Sequence, residues 1–196
     1  GPTELIILAA EALSPEAVVW DMFSQAEHDE MATVGLFSSD KAFLDRVLEA
    51  AGRLLPKAER RSVIEKALND NGFVVFFKDL AKALELIDRI APEHMEYIGP
   101  AGGERRIRYP GIVYLGPDTT VALGDYYIGT NHVLPTGGAG RFTAGLCVDR
   151  FMRRRSLVRV TKGFVRDFGD DAMRLAAIEG LFAHRQAIGS RKEQTE

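Results

Sequence analysis

Leu5-Ile6-Ile7-Leu8-Ala9-Ala10 is apolar at every position, so as a strand it has no face to give to water and must be covered on both sides. Met31 to Phe37 and Phe73-Val74-Val75-Phe76-Phe77 read as two more strands, the latter again buried, and Ile112-Val113-Tyr114-Leu115 as a shorter one. Between these runs the apolar residues fall at helical spacing. Ser14-Pro15-Glu16 opens the first helix, with Ser14 as N-cap and Pro15 at the first position, and Val18, Val19, Met22 and Phe23 form its stripe. Ser39-Asp40 caps a helix through about Leu55; further helices run from Arg60 to Leu68, stopped by Asn69-Asp70-Asn71-Gly72, and from Leu80 to Ile90. Buried strands alternating with helices predict an α/β fold with an open, Rossmann-like, mostly parallel sheet and flanking helices. No Gly-x-Gly-x-x-Gly follows the first strand, so the usual dinucleotide fingerprint is missing.

Beyond about Gly145 the texture changes. Asp149 to Arg155 predicts a short basic helix, Leu157 to Val160 a short strand, and Gly163 to Ile188 a long amphipathic helix. Phe164, Phe168, Leu175, Ile178, Leu181 and Phe182 give that helix an apolar side that must be covered by another domain or subunit. The expected organisation is an α/β domain over 1–144 and a C-terminal helical arm for dimerisation over 145–196.

The 196 residues, 46% hydrophobic and 27% charged, suffice for one good core. A net charge of −3 gives no reason to expect nucleic acid as a partner, and no apolar run reaches the ~20 residues of a membrane span. Cys147 is the single cysteine, so no internal disulfide forms; a cytoplasmic protein is expected, and Cys147, between Leu146 and Val148, is expected in the core. Gly1-Pro2-Thr3-Glu4 runs straight into the first strand without an initiator Met, which suggests the back half of a longer protein.

All four histidines stand near a carboxylate or an amide, at the ends of predicted elements. Gln25 and His28, three apart at the end of the first helix, are either solvated polar residues or two donors able to share a zinc ion. Glu93-His94 follows Pro92, which ends a helix in an extended turn; the pair is either an exposed loop or a general base beside a water activator, its side chains pointing opposite ways. Gly124-Asp125-Tyr126 through Asn131-His132 to Thr136 reads as largely irregular backbone rich in binding residue types, and Arg141 beyond it is either solvated or an anion contact. Glu179 and His184 lie five apart on the last helix, on different faces.

Taken together these stretches resemble histidinol dehydrogenase. Gly-Pro-Thr-Glu-Leu-Ile-Ile-Leu-Ala with Ser24-Gln25-Ala26-Glu27-His28, Ala91-Pro92-Glu93-His94, Gly124-Asp125-Tyr126, Asn131-His132-Val133-Leu134-Pro135-Thr136, Arg141-Phe142 with Gly145-Leu146, and Glu179-Gly180-Leu181 to His184 occur in that family's order over nearly the whole chain. The resemblance implies zinc-dependent, NAD-linked oxidation of L-histidinol through the aldehyde to L-histidine. It assigns zinc to Gln25, His28, Asp125 and His184, the last from the partner subunit of a homodimer. It makes His94 the general base and Glu93 the activator of water, and puts His132 and Glu179 near the substrate, with Thr3 and Tyr126 as further neighbours. Family members are about twice this length, and the front half is expected to supply the NAD site, so this half alone should not turn over. Tyr109-Pro110-Gly111-Ile112 stands where the family has Asn-Ala-Gly-Ser. That departure leaves open a related dehydrogenase of another polyol; a stand-alone, zinc-binding dimeric paralogue without catalysis is the other alternative.

Overall fold

A computed structural model describes residues 3–10 and 13–193. The opening Gly1-Pro2 of the first motif lies outside them. Strands β1 (Glu4–Ala9), β2 (Thr33–Ser38), β3 (Gly72–Phe76), β4 (His94–Ile98) and β5 (Ile112–Leu115) form one sheet in the order β3-β2-β1-β4-β5, and every neighbouring pair is parallel. This is the strand order of a doubly wound half, with its reversal at β1, which has β2 on one side and β4 on the other. The expected open parallel α/β layer is what forms.

Leu5, Ile6, Ile7 and Leu8 in the central strand are fully buried, which by area is worth about 1.5–3 kcal/mol for each side chain. The period of two divides them. Leu5 and Ile7 join Val34 and Leu36 under helices α1 (Pro15–Ala26), α2 (Lys41–Leu54) and α3 (Arg61–Asn71); Ile6 and Leu8 join Met95 and Tyr97 under α4 (Leu80–Ile90). Asp40 caps α2 by accepting the N–H of Phe43 at 3.1 Å, and Asp79 caps α4 through Ala81 at 2.8 Å. Ser14 occupies the N-cap of α1, but its hydroxyl donates to Glu16 and not to backbone.

Two sequence expectations for the sheet need correcting. Phe73 to Phe77 was expected to be covered on both faces, yet β3 is an edge strand whose Val74 and Phe76 are 37% and 45% exposed. The second error is one of omission, since no strand was assigned to the residues of β4. His94-Met95-Glu96-Tyr97-Ile98 is buried throughout, with polar His94 and Glu96 alternating with apolar Met95 and Tyr97. A polar face turned inward has the hydropathy of a solvated strand or a loop, and composition alone cannot tell them apart.

The described chain divides into one unit through Phe151 and another from Met152. In the first, the Gly124–Tyr126 stretch is not irregular: it is the last turn of a short helix α5 (Val121–Tyr126), with Thr120 as N-cap. Cys147 is exposed, against the core position expected. The Arg141 guanidinium donates to the backbone carbonyls of Arg89 and Gly138. The basic helix expected over Asp149 to Arg155 is cut to a short 3-10 turn, Val148–Phe151, at the end of the first unit, and in the second unit residues 152–161 form no helix and none of the short strand expected. The long helix is two helices, α6 (Lys162–Ile178) and α7 (Phe182–Glu193), broken where Gly180 turns left-handed (φ +72°). Its N–H bonds to Ala177 and that of Leu181 to Ala176, the Schellman pattern that ends a helix. Glu179 therefore caps α6 and His184 belongs to α7. Among the described residues, no helix is long and apolar enough to cross a membrane.

Candidate active site

Three chain joins meet at the amino-terminal edge of the sheet, beside the reversal at β1. The start of β1 supplies Thr3 and Glu4, the join from α4 into β4 supplies Glu93 and His94, and the last turn of α1 brings Gln25 with His28 just beyond it. α5 adds Asp125 at its end. Together with His132 and Tyr114, all of these side chains but Glu4 line one cleft of ≈ 170 Å³. Ligands on open α/β sheets usually sit at the opposite, carboxyl-terminal edge. Here the site lies where helices end, and a helix C-terminus carries partial negative charge suited to a cation.

Ala91, at the end of α4, takes a left-handed conformation (φ +51°) that costs an alanine about 1–2 kcal/mol. It turns the chain into Pro92, so that Glu93 stands just ahead of β4 and His94 begins it. Glu93 and His94 were expected to point apart. They line the same cleft, with Glu93 Oε2 3.6 Å from His94 Nδ1, because Glu93 lies outside the strand and escapes its alternation.

His94 Nδ1 lies 3.2 Å from the carbonyl oxygen of Glu4. A carbonyl only accepts, so Nδ1 carries the hydrogen and the neutral ring keeps its lone pair on Nε2. Burial pushes His94 below its ordinary range, outweighing the Glu93 charge and the Glu4 carbonyl, which act the other way. The ring also stacks on Tyr114, centroids 6.2 Å apart and planes at 23°. It is thus a neutral base, fixed in orientation.

Glu93 is held just as closely. Its Oε2 accepts the Thr3 hydroxyl at 2.6 Å and the Glu4 N–H at 3.3 Å. The Glu4 carboxylate in return accepts the N–H of Glu93 at 3.1 Å and that of Gly137 at 2.9 Å. The Gln25 amide donates to the Thr3 hydroxyl, which leaves the Gln25 carbonyl oxygen outside that bond. Asp125 lies between two histidines, Oδ2 3.8 Å from His28 Nε2 and Oδ1 3.5 Å from His132 Nδ1.

The donors suit zinc in kind: an amide oxygen, an imidazole and a carboxylate. Two ligands of a tetrahedral zinc stand about 3.4 Å apart, near the 3.8 Å between His28 and Asp125. Among the described residues, no group of three or more His, Cys, Asp or Glu side chains closes on a metal position. Gln25, a donor of another type, is what raises the cleft's set to three.

Of the residues singled out from sequence, Thr3, Gln25, His28, Glu93, His94, Asp125 and His132 share the cleft. Tyr126 does not line it and is 85% exposed. Glu179 and His184 belong to the second unit. Sequence reading missed Glu4 and Tyr114. The alternation of β5 offered a signal for Tyr114, but Glu4 acts through backbone partners that no spacing reveals. A larger hollow of ≈ 530 Å³, lined by Lys82, Asp88, Arg105, Arg106 and Arg108, contains no histidine and lies away from these groups.

Gly124 fits under Tyr114 only because it lacks a side chain: a Cβ there would lie 2.1 Å from the Tyr114 hydroxyl oxygen. Gly124→Ala is expected to cost about 1–3 kcal/mol and to lower the thermal unfolding midpoint. Adding Tyr114→Phe should recover part of the loss, and a double variant no more stable than Gly124→Ala would rule out this contact as the cause.

Fold and site define a parallel α/β domain with a histidine–carboxylate centre at the amino-terminal edge of its sheet. A family model described as histidinol dehydrogenase matches residues 1–192, and the chain belongs to that family. It is 40% identical over 195 residues to histidinol dehydrogenase of Dechloromonas aromatica (strain RCB), covering 98% of this chain and 45% of that one. To the Nitrosomonas europaea histidinol dehydrogenase it is 42% identical over 193 residues, 97% of this chain and 45% of the relative. The crystal structure of histidinol dehydrogenase from Elizabethkingia anophelis matches with a TM-score of 0.89 at 31% identity, over 99% of this chain and 45% of the other. The chain thus spans a little under half the length of these relatives.

Proposed function

We propose that this chain is the zinc- and substrate-binding part of an enzyme that oxidises L-histidinol through the aldehyde to L-histidine, with NAD as electron acceptor. The observation that carries the reading is His94, its Nδ1 3.2 Å from the Glu4 carbonyl oxygen, beside a hydrogen-bonded Glu93 in one cleft with Gln25, His28 and Asp125. His94 Nε2 takes the carbinol proton as hydride leaves for NAD. Glu93 takes a proton from the water that adds to the aldehyde, and His94 serves again as the hydrated aldehyde loses the second hydride. Thr3 holds Glu93 in place and His132 neighbours the substrate. Gln25, His28 and Asp125 would hold zinc, which when bound would supply a positive charge to anchor and orient the substrate.

His184 and Glu179 are proposed to complete the site of the partner subunit in a homodimer. The exposed Phe164, Phe168, Leu175, Ile178 and Phe182 of the second unit support such an association. NAD is assigned to the part of the relatives' length that this chain does not span.

The test is NADH formation from L-histidinol by the complete gene product, with and without a chelator. Turnover abolished by the chelator and restored by zinc is the expected result; zinc-loaded protein that reduces no NAD with L-histidinol overturns the reading. Glu93→Gln should keep zinc and slow oxidation of the aldehyde about a hundredfold or more, with a much smaller effect on oxidation of the alcohol. Equal loss in both steps, measured with each substrate separately, would remove water activation from Glu93.

A further inference from the structure

Under the cleft lies a carboxyl pair that the chemistry above does not use. Glu96 is 1% exposed on β4, two residues beyond His94 and so on the same face of the sheet. Its Oε1 accepts the N–H of Val121, the first residue of α5, at 2.7 Å. Its carboxyl is also hydrogen-bonded to Asp21 of α1, whose Oδ1 accepts the hydroxyl of Thr120, the cap of α5, at 2.6 Å. Asp21 precedes Gln25 by one helical turn, and Val121 precedes Asp125 by one. A single buried carboxyl thus joins the three elements that present Gln25, His94 and Asp125.

We propose that Glu96 is a positioning residue: by tying α1 and α5 to β4, its carboxyl sets the spacing at which Gln25, His28 and Asp125 can serve one ion. The part concerning the ion rests on the zinc reading above; the tie itself does not.

The bond between two carboxyls needs a proton, and the surroundings put it on Glu96. Burial, then the Asp21 charge, pushes Glu96 up to about 8, against the opposing pull of the Val121 N–H. Asp21 is also raised by burial, but the Thr120 hydroxyl and the bond from Glu96 favour its ionised form. Of the strands beside Glu96, β1 pairs Ile7 with it and β5 pairs Tyr114, whose phenol is itself held protonated by burial. No lysine or arginine acts on either carboxyl among the described residues. Because the folded state raises this acid, the stability it adds is complete below the ordinary carboxyl range and is lost as pH rises through about 8.

Hydrogen–deuterium exchange of residues 121–126, corrected for intrinsic rate, tests the tie from about pH 6 to about pH 9.5. In the unchanged protein, protection should fall about tenfold as pH rises through this range. Glu96→Gln donates to Asp21 and accepts from Val121 without titrating, so its protection should stay flat. Glu96→Leu should lose about tenfold at every pH, and should bind zinc at least about tenfold more weakly while Glu96→Gln binds it as the unchanged protein does near pH 7. A Leu variant with unchanged protection and zinc affinity overturns the proposal, as does a Gln variant that keeps the full pH dependence. Should the Leu variant not fold, the slopes of the unchanged protein and the Gln variant decide. Unchanged protein that takes up no zinc removes the zinc reading and with it the ligand spacing, while exchange still decides the tie.

Discussion

Replacing His94 by asparagine should lower the rate constant for L-histidinol oxidation about a thousandfold, with KM and zinc content close to those of the unchanged protein. Asparagine is the informative choice because its amide nitrogen can take over the Nδ1–H bond to the Glu4 carbonyl. What it removes is the lone pair at Nε2, and therefore the base alone. The pH profile gives a second readout. Burial holds His94 below its ordinary range, so it stays neutral to lower pH than a free imidazole, and the acid-side fall in rate should lie below the usual histidine value. That limb should vanish in the asparagine variant. A variant retaining a tenth of the activity would transfer the base role elsewhere.

Asp125→Ala should weaken zinc binding by more than about a hundredfold, since the outer partners of metal ligands are alone worth about 10–100-fold. Asp125 is within 3.8 Å of His28 Nε2 and 3.5 Å of His132 Nδ1, so its loss removes a proposed ligand and the one carboxylate between two imidazoles. Direct titration with zinc after chelator stripping measures it. Wild-type affinity in the alanine variant would require another donor set, and the spacing attributed to Glu96 would lose its purpose.

Much of this was legible in the sequence, for definite reasons. Leu5 to Leu8 has only one packing solution, and the helices from Lys41, Arg61 and Leu80 carry clear apolar stripes, so the α/β layer follows from pattern alone. The ordered motifs placed seven site residues that do converge. What escaped was the polar interior. His94 and Glu96 hid β4 from the apolar pattern, and Glu96 with Asp21 reads as surface charge until the fold buries Glu96. Glu4 works through the N–H groups of Glu93 and Gly137, 89 and 133 residues away. The break at Gly180 was visible as a glycine, yet an amphipathic stripe continuing past it favoured one helix; a left-handed turn over residues 179–181 separates the two.

The position of the cleft at the amino-terminal edge has a consequence for how such a protein can vary. Its lining groups come from the approaches to β1 and β4, the end of α1, the end of α5 and the segment beyond it. The turns that follow β2 and β3, at residues 39–40 and 77–79, open on the opposite edge and carry none of them. Insertions there that keep the caps Asp40 and Asp79 should leave the cleft unchanged. An engineer seeking a place to graft a new recognition loop would find it there, on the edge opposite the cleft.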